Sequence, residues 1–215
     1  MAACIHCGGD TRTRDHVPSK VLLDEPYPEN LPVVPSCKSC NEAFSMDEEY
    51  VACLVECTLA GSVQADDIRR KKIRRILRSK PALAAKLIQA RKMTDSGTSF
   101  AVDTDRVRNV VLKLGRGHAA FELNEPQYDE PHSVSFVPLV GMPSDTRDLF
   151  ETSLQSSLWP EAGSRAMQRL AVVWPAVPGW ILVQPGRYRY LASVGDGVVI
   201  RMVISEYLAC EVVWA

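Results

Sequence analysis

The 215-residue sequence contains no run of about 18 apolar residues, so no membrane-spanning helix is expected. It has no low-complexity tract and no internal repeat. Cysteine is present, but four of the seven residues fall in closely spaced pairs, which suits zinc in a reducing compartment better than a secreted disulfide framework. Cys4 and His6 follow the start at once, so neither a signal peptide nor a membrane association is expected, and the location read from the sequence is cytoplasmic. An apolar content of 46% argues against wholesale disorder and is enough for one compact domain or a small module joined to a larger one.

The formal net charge is only −1, yet the charges are segregated. Residues 1–60 carry ten acids against four Lys/Arg, whereas residues 69–92 carry eleven Lys/Arg and no acid. An acidic metal-binding module beside a basic helix could grip phosphates through Arg69, Arg70, Lys71, Lys72, Arg74 and Arg75, with Arg106 and Arg108 extending the basic character. A solvated helix face accounts for the same pattern.

Along the chain, Ser45-x-x-Glu48 reads as a capping box before a helix through Tyr50, Cys53, Leu54 and Cys57, stopped by Gly61 and Ser62. A second helix is expected from near Asp66 through Ile68, Ile73, Ile76 and Leu77, and another from Pro81 through Leu83, Leu87 and Ile88. Residues 94–99 read as a loop. Asp103 to Leu114 reads as a helix that Gly115 and Gly117 stop. From Ser133 the texture becomes strand-like: Ser133–Leu139, Leu170–Trp174, Trp180–Gln184, Tyr188–Ala192, Val198–Ile204 and Tyr207–Trp214, with a helix over all or part of Ser144–Leu158. Trp159, Trp174, Trp180 and Trp214 are expected in the core of that sheet, as is Cys210, and Cys53 and Cys57 are expected to pack one helical turn apart. The expected class is α+β, with divisions at 1–60, 61–128 and 129–215, the last two able to form one domain.

Cys4-x-x-Cys7 and Cys37-x-x-Cys40 supply two turns whose sulfurs can point at one ion, the donor set of a structural Zn²⁺ site. Between them lie Asp15-His16-Val17-Pro18 and Asn30-Leu31, and the second pair runs directly into Asn41. In order and spacing, residues 4–57 resemble the HNH endonucleases, the zinc-knuckled ββα-metal nucleases. The resemblance implies an N-terminal ββα-metal module, a helical basic middle region and a C-terminal antiparallel sheet. It implies His16 as the general base that activates water, and Asn30 as the residue that orients the loop carrying it. It further implies that Asp15 and Asn41 ligate a divalent Mg²⁺ or Mn²⁺, and that DNA is cleaved to a 5′-phosphate and a 3′-hydroxyl. A role in bacterial anti-phage defence or a mobile element follows from family association alone.

Two features depart from the family pattern. The last ligand is Asn41 rather than histidine, and Lys20–Glu29 contains Asp24, Glu25 and two prolines where relatives often carry glycine-rich turns. Two other functions fit the same residues. One is a zinc-knuckle adaptor without catalysis that binds nucleic acid or protein; the other is a nuclease subunit active only with a protein partner. A homodimer would put two active sites on two strands. His6, inside the first knuckle, is read as an exposed filler able to reach a phosphate. Arg116 and His118 are read as a helix end, with phosphate binding the lesser alternative.

Overall fold

The computed structural model describes residues 3–94, 97–152, 159–173 and 179–215. They divide into two compact units, residues 1–43 with 111–215, and residues 44–110. The divisions fall inside two helices rather than near residues 60 and 128, so the stretches read from sequence do not coincide with these units.

In the first unit, β1 (Thr13–His16) pairs antiparallel with β2 (Val33–Ser36), His16 opposite Val33 and Thr13 opposite Ser36. Alternation buries Asp15 on one face of β1 and leaves Arg14 exposed on the other. Helix α1 (Lys38–Ala60) starts immediately after β2 and the first cysteine of the second pair. Ser45 therefore lies inside α1, and the expected capping box is an interior stretch of that helix.

The second unit takes the apolar stretch of α1 from Tyr50 to Cys57, all buried. It adds α2 (Lys71–Ser79), with Ile73, Ile76 and Leu77 inward, and α3 (Pro81–Ala90), with proline in its first turn. The helix expected from near Asp66 begins instead at Lys71, and residues Ala65–Asp67 form a separate 3-10 turn. Of the expected loop at 94–99, Thr94 ends β3 (Arg91–Thr94) and residues 97–99 belong to β4 (Gly97–Phe100), which pairs antiparallel with β3; residues 95 and 96 lie outside the described residues. Asn109 in the second turn of α4 (Thr104–His118) donates to Asp47 at 2.7 Å, and Arg106 pairs with the same carboxylate at 3.2 Å.

Helix α4 continues through Gly115 and Gly117, which do not stop it. They are there for contact. A Cβ on Gly115 would lie 2.9 Å from Val212 Cγ2, and one on Gly117 would lie 2.5 Å from Val17 Cγ2. The chain then makes a π-type turn at Ala119–Leu123. Residues β5 (Ser133–Pro138), β6 (Ile181–Gln184), β7 (Tyr188–Val194), β8 (Val198–Ile204) and β9 (Leu208–Trp214) form an antiparallel sheet in the order β5-β9-β8-β7-β6. The outer end of β8–β9 turns through Ser205, Glu206 and Tyr207, the first two at positive φ, with Tyr207 N donating to Ile204 O at 3.1 Å.

One sheet face carries Tyr188, Tyr190, Ile200, Met202, Cys210, Val212 and Trp214, all at most 4% exposed. His118 is buried there, stacked 3.7 Å from the Tyr190 ring and bonded through Nε2 to the Tyr188 hydroxyl at 2.8 Å. The opposite face packs Val203 and Ala209 with Leu139 and with Phe150 of α5 (Ser144–Glu151). Arg201 crosses that face, pairing with Glu211 at 2.6 Å and donating to the carbonyls of Leu149, Phe150 and Thr152 at the end of α5. The expected strand at Leu170–Trp174 is instead the end of α6 (Arg165–Val173), with Trp174 outside the described residues. Trp214 is in the core and Trp180 partly so, but Trp159 is 63% exposed. Cys53, Cys57 and Cys210 are buried thiols whose pKa burial pushes up, to about 12 for the first two, as packing residues require.

Candidate metal centre and the residues around it

The first knuckle is a tight turn in which the Gly8 amide donates to the Cys4 carbonyl and the Cys4 amide to the Gly9 carbonyl, both at 2.8 Å. Gly8 sits at φ 74°, a conformation that glycine adopts without steric cost. The knuckle docks on β2 through Ile5 N to Pro35 O at 3.2 Å, so β2 carries the first cysteine pair on its flank and the second at its end. As a result the sulfurs of Cys4, Cys7, Cys37 and Cys40 all lie within 4.8 Å of one another. Cys7 Sγ and Cys37 Sγ are 3.8 Å apart. Tetrahedral Zn–S bonds of about 2.3 Å put sulfurs about 3.8 Å apart, so the four thiols fit a zinc ion.

Hydrogen bonds from the Ser39 hydroxyl and the Cys40 amide hold the Cys37 thiol down at about 6, the thiolate form that ligates metal. Burial and the adjacent sulfurs push Cys40 the other way. Four sulfurs this close cannot all carry charge unaided, and a dication between them removes the conflict. These four cysteines can hold a metal ion such as zinc.

Asp15 is 5% exposed and both of its oxygens are engaged. Oδ2 accepts from His6 Nε2 at 3.2 Å, and Oδ1 accepts from Lys113 Nζ at 2.9 Å. Lys113 also donates to Ser19 Oγ at 2.8 Å. Burial alone would raise the Asp15 pKa, but the His6 hydrogen bond and the Lys113 ammonium outweigh it and hold the carboxyl below its usual range. His6 is thus no exposed filler: it is 6% exposed and turned inward onto Asp15. Neither His6 nor Lys113 was indicated as a partner of Asp15 by the sequence. The only signal was a lysine set in the apolar run Val110–Leu114.

His16 is half-buried at the end of β1 and makes no side-chain hydrogen bond among the described residues. Burial and the nearby Lys20 ammonium lower its pKa, which keeps the imidazole neutral near pH 7. Asn41, in the first turn of α1, donates through Nδ2 to Arg14 O at 3.3 Å and Thr13 Oγ1 at 3.5 Å, pinning α1 to β1. Asn30 is exposed in the turn closed by Leu31 N to Pro28 O, and its side chain makes no hydrogen bond among the described residues. The structure therefore brings together the cysteines, Asp15, His16 and Asn41 on one hairpin and the helix after it, while Asn30 stands in the connecting loop.

A divalent ion on Asp15 and Asn41 does not fit this arrangement. The Asp15 oxygens already serve two buried donors, and Mg²⁺ requires a near-octahedral shell in which several waters are kept. Asn41 would offer only Oδ1.

The loop after His16 is anchored within the same unit. Asp24 N donates to Gln184 Oε1 at 2.8 Å, Gln184 Nε2 returns to Asp24 O at 3.0 Å, and Arg187 Nε reaches Asp24 Oδ2 at 2.5 Å.

The basic stretch is less uniform than its sequence. Arg70 is 5% exposed and faces Glu56 at 3.7 Å, so it is a buried ion pair rather than a phosphate contact. Arg69, Lys71 and Arg75 are exposed; Lys72 and Arg74 are half-buried, Arg74 donating to Arg69 O at 3.1 Å. Arg116 is spent on the carbonyls of Tyr128 and Asp129, and the fully buried His118 cannot meet a phosphate.

No helix among the described residues is long and apolar enough to cross a membrane. Compared with family models, curated proteins and solved structures, the chain matches none.

Proposed function

We propose that this chain is a zinc-knuckled endonuclease of the HNH type that hydrolyses phosphodiester bonds in DNA, with His16 as general base. The observation that carries the reading is His16 itself: a half-buried imidazole with no side-chain hydrogen bond among the described residues, its pKa lowered by burial and Lys20, on a strand paired with the one that leads into the second cysteine knuckle. We read β1, β2 and α1 as the ββα fold of that family, fixed by zinc on Cys4, Cys7, Cys37 and Cys40. Neutral His16 takes a proton from water, the resulting hydroxide attacks phosphorus, and the bond to the 3′ oxygen breaks, that oxygen taking a proton from solvent water, which leaves a 5′-phosphate and a 3′-hydroxyl. Arg14 and Lys20, exposed on either side of His16 in the sequence, are cations of this unit able to meet the charge on the phosphate. The exposed Arg69, Lys71 and Arg75 would add salt-dependent affinity for the backbone.

One observation favours a second reading, a zinc-knuckle adaptor without catalysis. The carboxylate expected to hold a catalytic ion is sealed in an ion pair. Plasmid cleavage in Mg²⁺, Mn²⁺ or chelator, by wild type and His16→Ala with equal zinc content, separates the two. Cleavage by wild type alone supports the nuclease. Equal cleavage by both removes His16 from the mechanism. Two inert, zinc-loaded proteins favour the adaptor, unless an added partner restores cleavage to wild type only.

A further inference from the structure

We infer that Asp15 is closed to divalent metal in this chain, because the Lys113 ammonium occupies the carboxylate that the HNH resemblance would give to a catalytic ion. The inference rests on the proposed nuclease reading only for the role it denies; the geometry stands without it. Lys113 Nζ donates to Asp15 Oδ1 at 2.9 Å and to Ser19 Oγ at 2.8 Å, and the residue is 1% exposed. An ammonium that deep cannot trade its carboxylate for bulk water, so an ion that captured Asp15 would leave a buried positive charge beside a new dication.

Retreat is also blocked. Lys113 stands on α4 between Leu112 and Leu114, both buried, and the same helix is held at Gly115 against Val212 and at Gly117 against Val17. The other Asp15 oxygen is held by His6, itself within the first knuckle. A solvent cavity on the hairpin, about 370 Å³, is lined by Thr11, Thr13, Arg14, Val33, Val34 and Pro35, and Asp15 is not among its lining residues. Asp15 and Lys113 are thus a positioning pair: an internal cation fixes the strand one residue before His16, where relatives would use an external one.

The test is Mn²⁺ added to the full, zinc-loaded, ¹⁵N-labelled chain. The Asp15, His16 and Lys113 amide signals keep their intensity at equimolar Mn²⁺, and Asp15→Asn leaves any Mn²⁺ affinity unchanged. Selective bleaching of those signals, or a loss of affinity of about tenfold or more in Asp15→Asn, would overturn the inference. If that variant fails to fold, the wild-type spectra decide alone. Cleavage measured on the same samples keeps the two ideas apart. A chain that cuts DNA while Asp15 stays sharp retains both, an inert chain with Asp15 sharp loses only the nuclease, and bleaching at Asp15 removes only this inference.

Discussion

Replacing Gly117 by alanine measures how closely α4 holds the strand that ends in His16. The added methyl would stand 2.5 Å from Val17 Cγ2, 2.8 Å from Cγ1 and 3.2 Å from Cβ. Carbon atoms settle at about 3.5–4.0 Å, so Val17 or the helix must give by about 1 Å. Val17 cannot turn away easily, because it is fully buried and a β-branched side chain has few χ1 choices. Overpacking of this kind costs about 1–3 kcal/mol, while alanine gains about 1 kcal/mol over glycine inside a helix. The net expectation is a loss of up to about 2 kcal/mol, or up to about 8 °C in Tm for a chain of this size. Urea unfolding of zinc-loaded protein measures it, and a cycle with Val17→Ala assigns it. The double mutant removes the clash, so it should be more stable than the sum of the single changes by about 1 kcal/mol or more. A Gly117→Ala protein at least as stable as wild type, with additive behaviour in the cycle, would show that helix propensity decides at this position and that the close approach does not exist.

Removing zinc with a strong chelator, or replacing Cys37 by serine, should open the two knuckles, seen as lost amide protection at residues 4–9 and 37–41, because a small cysteine-bound loop folds largely on metal-binding free energy. Unchanged protection without metal would refute the zinc reading. Because the His16 pKa is lowered and the neutral form is the base, the acid limb of cleavage against pH should have its midpoint below about 6.5; a midpoint above that value would contradict the burial and Lys20 effects. Arg70→Met removes the buried cation that faces Glu56 and should cost about 3–5 kcal/mol by urea titration, whereas Arg75→Ala should change stability by less than about 0.5 kcal/mol and instead flatten the salt dependence of DNA binding. The reverse order would mean that the two arginines have been assigned to the wrong environments.

The sheet could be read from sequence because each strand is bounded by turn residues and alternates: Val198–Ile204 matches the strand limits, and Pro185-Gly186 lies in the turn before β7. The cysteine cluster could be read because two residues between thiols is itself a geometric statement. Glycine misled where it serves packing. In α4, Gly115 and Gly117 carry the signature of a helix stop, but what they answer is the presence of Val212 and Val17, contacts distant in sequence. Ser45-x-x-Glu48 misled in the opposite way, since a pattern that can start a helix is also compatible with one already under way. Leu170–Val173 illustrates a third cause: a short apolar run has no period long enough to separate strand from helix. The partners of Asp15 were hidden because Lys113 is 98 residues away and nothing local marks a lysine as buried.

The segment that resembles a nuclease is not the segment that folds as a unit. Residues 4–57 carry the motif, but residues 1–43 form one compact body with 111–215. The reasons are chemical and specific. Asp15 is neutralised by Lys113, Val17 is seated against Gly117, and Asp24 is clamped by Gln184 and Arg187 at the β6–β7 turn. Each contact falls within nine residues of His16 and each comes from the C-terminal part of the chain. A zinc knuckle alone can fix its own cysteines, but it supplies no counter-charge for a carboxylate that is 5% exposed. The helix and sheet supply it. On this argument the C-terminal region is the wall that sets the position of His16, and whatever chemistry His16 performs depends on residues far outside the motif that points to it.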